Sequence, residues 1–282
     1  MGLSLPNHDV SSATTSPQYA VALARAFAGA LIFCLALLLT MEMWWLGFYL
    51  EPWRLFQLTL VNIAILYGMS KVSGFEEARN WIDDVLDSFA AYFIAVVTAT
   101  SVLYLIGAIR PTMTITEIAG MIAVQAVPAS FGAMVGAKLM GEGEDIEVKE
   151  PWRETYAGRL FLFFAGALFV SFTVAPTEEV ILISFQMDAR QSLAMMVGSI
   201  LLLHAMLYFA GFRGQEERAE RSHGHALIRQ TLPGYAIAVS VSAYLLWSFG
   251  RLEGLGPTTA VRAVLVLAVP AAIGAGIARI VI

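Results

Sequence analysis

Ala26-Phe27-Ala28-Gly29-Ala30-Leu31-Ile32-Phe33-Cys34-Leu35-Ala36-Leu37-Leu38-Leu39-Thr40 decides the class of this chain. No residue between Arg25 and Glu42 is charged. Extended to 22–46, the stretch exceeds the roughly 20 mostly apolar residues that a membrane span needs. Seven more stretches read the same way, at 55–73, 86–108, 116–139, 159–182, 191–211, 231–249 and 259–281. The expectation is an all-α membrane protein with eight transmembrane helices.

The composition agrees. Of 282 residues, 58% are hydrophobic and 14% charged, and mean hydropathy is +0.71. Soluble chains hold about 45–50% apolar and about 25% charged residues. A net charge of -5 leaves no basic footprint for a nucleic-acid backbone. The single cysteine, Cys34, has no disulfide partner in the chain and sits in an apolar run. Residues 1–18 read as a flexible tail. They do not read as a signal peptide, because Asp9 is present and no Lys or Arg precedes Arg25.

Basic residues set the orientation of a multispanning chain. Placing both termini in the cytoplasm puts 12 of the 17 Lys and Arg there, and leaves Arg54, Arg110, Arg190, Arg251 and Arg262 outside. The expected location is a cell inner membrane, multi-pass, with both termini cytoplasmic.

An internal repeat organises the chain. A shift of 137 residues lays Ala28-Gly29-Ala30-Leu31 on Ala165-Gly166-Ala167-Leu168, Thr40 on Thr177, Glu42 on Glu179, and Gly74-Phe75 on Gly211-Phe212. A shift of 142 lays Ala126-Val127-Pro128-Ala129 on Ala268-Val269-Pro270-Ala271. Apolar matches arise by composition, but Glu, Pro, Thr and paired Gly-Phe are scarce here. The reading is two parallel four-helix repeats, 19–140 and 159–282, joined by an acidic connector at 141–158. Four helices is an even number, so both halves enter the membrane in the same sense. A pseudo-two-fold axis along the membrane normal is expected, with any site near the repeat interface.

Charges inside a span are costly, so each marks a candidate site. Glu42 and its mate Glu179 lead, joined by Glu178 and by the hydroxyls of Thr40 and Thr177. Pro176 should break its helix and free carbonyls beside these carboxylates. His204, in mid-span, is a candidate proton relay or a plain interhelical hydrogen bond. Asn62 reads as polar lining or interhelical glue. Asp83, Asp84 and Asp87 are candidate acids at the inner mouth of a cation path, and equally suit a helix N-terminus. Pro128 and Pro270 match across the repeat as kinks or hinges, each followed by small residues at Gly132 and Gly136 or Gly274 and Ala278. His223 and His225 lie in a charged loop and are weak evidence for a metal.

No HExxH, GxSxG, phosphate-binding loop or dinucleotide fingerprint occurs, so no enzyme and no cofactor are expected. The eight-span layout, Pro176-Thr177-Glu178-Glu179 and the two Ala-Val-Pro-Ala stretches resemble a group of bacterial integral membrane proteins of unknown function. That resemblance covers nearly the whole chain after residue 18 and implies no activity. The residues themselves point to a small cation or proton transporter or channel using paired carboxylates. The alternative is a non-catalytic membrane scaffold or sensor acting through helix packing and cytoplasmic loops. The bilayer is the expected partner, with a cation or proton as cargo. A homo-oligomer is compatible with the layout.

Overall fold

The computed structural model describes residues 16–73, 81–139, 155–211 and 227–281. The start of the N-terminal tail, most of the acidic connector and the loop with His223 and His225 lie outside the described residues. The described residues form ten α-helices and no strand. In chain order they are α1 Ser16–Leu38, α2 Met41–Tyr49, α3 Pro52–Ser73, α4 Trp81–Leu105 and α5 Ile115–Leu139. They continue as α6 Tyr156–Val174, α7 Glu179–Gln186, α8 Ala189–Gly211, α9 Leu232–Ser248 and α10 Pro257–Val281, with a π-helical turn at Leu227–Thr231.

The first and fifth expected spans are each two helices. In the first, Thr40 donates its hydroxyl to Ala36 O at 2.7 Å and its N–H to Leu37 O at 3.0 Å. Its backbone is extended, and α2 starts after it. A threonine that bonds back one turn competes with the helix ladder. In the fifth, Pro176 has no N–H to continue the ladder, and α6 ends at Val174.

Among the described residues six helices are long and apolar enough to cross a membrane, spanning Val21–Leu38, Trp81–Leu105, Ile115–Gly136, Tyr156–Val174, Ala189–Tyr208 and Pro257–Arg279. Six of the eight expected spans meet that standard on their own. The other two expected spans fall on α3, which carries Arg54, Gln57, Asn62 and Lys71, and on α9, whose 17 residues begin only after the π turn. The polar residues of α3 and the rewound first turn of α9 are the physical reasons both fall short.

In the first half α5 is central, packing on α1, α2, α3 and α4. In the second, α10 packs on α6, α7, α8 and α9. Glycines allow the closest of these contacts. A Cβ on Gly29 would stand 2.5 Å from Gly136 Cα, and one on Gly132 2.8 Å from Phe33 Cβ. Gly166 meets Gly274 and Ala278 in the same manner. Pro128 and Pro270 lie inside α5 and α10, which continue through them.

The main contacts between the halves join unlike elements. Helix α3 packs against α6 and α9, and α5 against α6. Phe169 of α6 meets the rings of Phe33 at 5.7 Å and Phe131 at 5.8 Å. A two-fold axis would make each unlike contact twice, whereas the main contacts of α8 are with α10, the π turn and α9.

Candidate functional site

The second helix break meets the turn after α9. Gly250 has φ +70, the left-handed conformation that ends many helices, and it turns Arg251 back toward the second break. Arg251 Nη1 lies 2.5 Å from Glu178 Oε1, and Nη2 donates to Pro176 O. The guanidinium side chain is only 14% exposed. A planar fork with fixed donors suits two acceptors at once. The carbonyl at the proline break is therefore held by a protein cation. Glu179 is exposed and starts α7, while Glu42 is half-buried in the first turn of α2.

Tyr49, at the end of α2, feels charges from both halves. Burial pushes its phenol above the usual tyrosine range; Arg251 opposes that rise, and Glu178 and Glu42 add to it. One carboxylate from each half thus acts on the same tyrosine. Nearby, Arg54 donates to Trp247 O at 2.7 Å, pairs with Glu51 at 3.3 Å and with Glu253. Thr177 donates its hydroxyl to Val174 O at 2.8 Å, as Thr40 does to Ala36 O.

A second set of polar groups runs through the first half, away from that end. Gln125 is fully buried and donates to Leu37 O at 3.2 Å, just before the α1–α2 break. Five residues further along α5, about 7.5 Å by helix rise, Ser130 Oγ accepts from Asn62 Nδ2 at 2.9 Å. Asn62 is 1% exposed and Ser130 0%. Eight residues beyond Asn62 on α3, about 12 Å, Ser70 Oγ lies 3.1 Å from Asp84 and 3.4 Å from Asp87. Asp84 is 6% exposed, so a carboxylate sits inside the bundle at this end. Two amide oxygens in this line, Asn62 Oδ1 and Gln125 Oε1, are buried without a hydrogen-bond donor from the protein. An unmet buried acceptor costs about 1–3 kcal/mol, so such an oxygen suits a water or a cation.

At the matching positions the second half is less polar. At the shift of 137, Ser70 and Asn62 correspond to Leu207 and Ser199, and at 142 Gln125 and Ser130 correspond to Leu267 and Ala272. His204, the proton-relay candidate, bonds Thr231 through Nδ1 at 2.8 Å. Among the described residues no three of His, Cys, Asp or Glu group as a metal site.

The family model described as "Putative integral membrane protein (DUF2391)" matches residues 22–282. The chain belongs to the DUF2391 family. The resemblance read from its sequence is borne out, and several apolar helices support a multi-pass membrane protein. No curated protein and no solved structure matches it.

In this DUF2391 chain the Glu42 and Glu178 carboxylates both raise the Tyr49 phenol from a distance, and Asp84 and Asp87 meet at Ser70; Asp83 lies half-buried on the same α4 turn. Sequence reading passed over Arg251, Gln125, Ser130 and Ser70. Arg251 lay in an assigned outer loop, and its partner is 73 residues away in sequence. Gln125 carried the one available signal, an uncharged amide in the middle of an apolar stretch.

Proposed function

We propose that this protein is a small proton or cation transporter or channel whose path runs through the first four-helix unit. The layout is eight crossings in two parallel repeats, in an inner membrane with both termini cytoplasmic. Three features support the repeats: the broken helix in each half, the matched glycine contacts Gly29–Gly132 and Gly166–Gly274, and a left-handed glycine in the turn after α4 and in the turn after α9, Gly107 and Gly250. The π turn and α9 together run from Leu227 to Ser248, about 33 Å at helical rise, long enough to cross. Helix α3 has 22 residues, and its charges Arg54 and Lys71 lie toward its ends.

The observation that carries the reading is the line Asp84–Ser70, Asn62–Ser130, Gln125, ending at the Leu37 carbonyl just before the Thr40 break. Polar groups are retained in an intramembrane interior at a cost, and such lines mark ion and proton routes. The line replaces the expected Glu42–Glu179 pair as the conducting element. Glu178 is engaged by Arg251 and acts as a closed ion pair.

The test is proton and monovalent-cation flux in liposomes containing the full chain. Asn62→Leu and Gln125→Leu each remove an unmet oxygen and should lower flux at least tenfold. Glu42→Gln should shift its pH dependence. Flux unchanged in all three variants sinks the path.

A specific observation favours the alternative scaffold reading: the contacts at Gly29 and Gly166 press helix backbones together, which suits a rigid structural role. Wild-type liposomes that leak no faster than empty ones, with the chain correctly folded, decide for the scaffold.

A further inference from the structure

Helix α3 rests on the surface shared by α6 and α9. Near one end Gln57 donates to Ser248 Oγ at 3.0 Å and accepts from Tyr244 OH at 3.3 Å. Near the other end Gly68 abuts the ring of Phe161. The stripe of α3 that includes Gln57, Val61, Ile65 and Gly68 is buried or half-buried.

The repeat assigns a counterpart to each part of this contact. A shift of 137 carries Gln57, Val61, Ile65 and Gly68 onto Ala194, Gly198, Leu202 and Ala205 of α8. A shift of 147 lays most of the buried face of α4 on that of α9. Asp84, Ser88, Ala91, Ile94, Ala95, Thr98 and Ala99 are buried, and so, 147 residues on, are Thr231, Tyr235, Ala238, Val241, Ser242, Leu245 and Leu246. Phe161 and Tyr244 then correspond to Ala24 and Val97. Both line a groove of about 790 Å³ between α1 and α4, with Phe27, Leu86, Phe89 and Phe93.

So α3 has its groove, and neither counterpart is used. Among the described residues no helix fills the groove on α1 and α4, and Phe89 and Phe93 are 53% and 68% exposed there. Ala194, Gly198 and Leu202 are exposed, and nothing lies within 4 Å of a Cβ built on Gly198. A contact between unlike surfaces leaves one of each kind free at opposite ends of the chain, and free surfaces of that kind join further copies head to tail until a ring closes. The chemistry suits a lipid setting. Gln57 and Tyr244 give way to Ala194 and Val97, and small residues spaced four apart let membrane helices approach closely.

We infer that the α1–α4 groove is the docking site for helix α8 of a second copy of this chain, repeating between molecules the contact that α3 makes within one. The inference rests on the duplicated layout under Proposed function and is independent of the ion path.

The experiment is disulfide crosslinking of two differently tagged full-length chains reconstituted in liposomes, in a Cys34→Ala background. One tagged chain carries Ala194→Cys and the other Val97→Cys; a second set pairs Ala205→Cys with Ala24→Cys. Both sets should give mixed-tag dimers on copper-phenanthroline oxidation, while Ala194→Cys with Phe56→Cys, on the outer face of α3, should give none. Adding Gly198→Trp should remove at least nine-tenths of the dimer; that position is open, so the fold is kept, as the elution profile of the variant checks. Absence of mixed dimers in both sets, or Ala194→Cys linking only to itself, overturns the docking. Reporter fusions in the 141–158 connector and at Ile282 separate the two failures. If the reporters lie on opposite sides, the parallel layout itself is wrong. If they share a side and no dimer forms, only the docking is wrong, and the groove is left to lipid.

Discussion

Arg251 holds the second helix break closed with two of its nitrogens, one on the Glu178 carboxylate and one on the Pro176 carbonyl. Glu178 is 71% exposed, so water screens much of that pair. The carbonyl bond is better sheltered. Arg251→Ala should therefore cost about 1–2 kcal/mol of stability, read as a lower unfolding temperature in detergent. Arg251→Lys should recover less than half of that, because a single ammonium cannot fork to both oxygens. Equal melting of all three proteins would show that the break holds without the guanidinium. Tyr49, at the same end, has a phenol whose folded pKa is raised by burial and by the Glu178 and Glu42 carboxylates. A raised pKa stabilises the fold fully below the unfolded value and progressively less as pH climbs through the folded value. Wild type should thus lose stability relative to Tyr49→Phe as pH is taken from 8 toward 11. Parallel pH curves would place the phenol in bulk-like water.

At the scale of elements, the glycine contacts set how near α1 comes to α5 and α6 to α10. A Cβ on Gly29 meets backbone of Gly132 and Gly136, which cannot swing aside as a side chain can. Gly29→Ala should cost about 1–3 kcal/mol and slow proteolysis-resistant folding. Gly198→Ala is the contrast: no atom is near, so the better helix propensity of alanine should leave stability unchanged or raise it by up to about 1 kcal/mol. Melting both variants in detergent checks the pair, and a stable Gly29→Ala would mean the helices sit further apart than described. The break at Thr40 was not legible in the sequence, where Leu39-Thr40-Met41 passes as an ordinary stretch of span. Its cause is a hydrogen bond of the Thr40 side chain with the turn before it, a local choice that an apolar count does not register. The break at Pro176 was legible, because proline removes a donor wherever it falls.

Over the whole molecule, reporter fusions at Ile282 and in the 141–158 connector should both read cytoplasm, and one at 110–115 should read the opposite side. An external C-terminus would mean that α3 or α9 does not cross. What the sequence by itself determined is the solvent and the secondary structure. Stretches such as Ala26–Leu39 cannot face water and must satisfy their backbone within a helix, and both consequences follow from composition alone. The repeat pairs Glu42–Glu179 and Pro128–Pro270 were also readable along the chain. Only the tertiary structure decided what those residues meet. It set Arg251 on Glu178, so that the carboxylate expected to hold a cargo cation holds a guanidinium. It aligned Gln125, Asn62 and Asp84 in one half and joined His204 to Thr231 in the other. It seated α3 on unlike helices across the halves and left α8 open. Hydropathy is a property of each residue and survives any arrangement, whereas a hydrogen bond or a docking face exists only between residues that packing brings together, and many of these lie more than 60 positions apart.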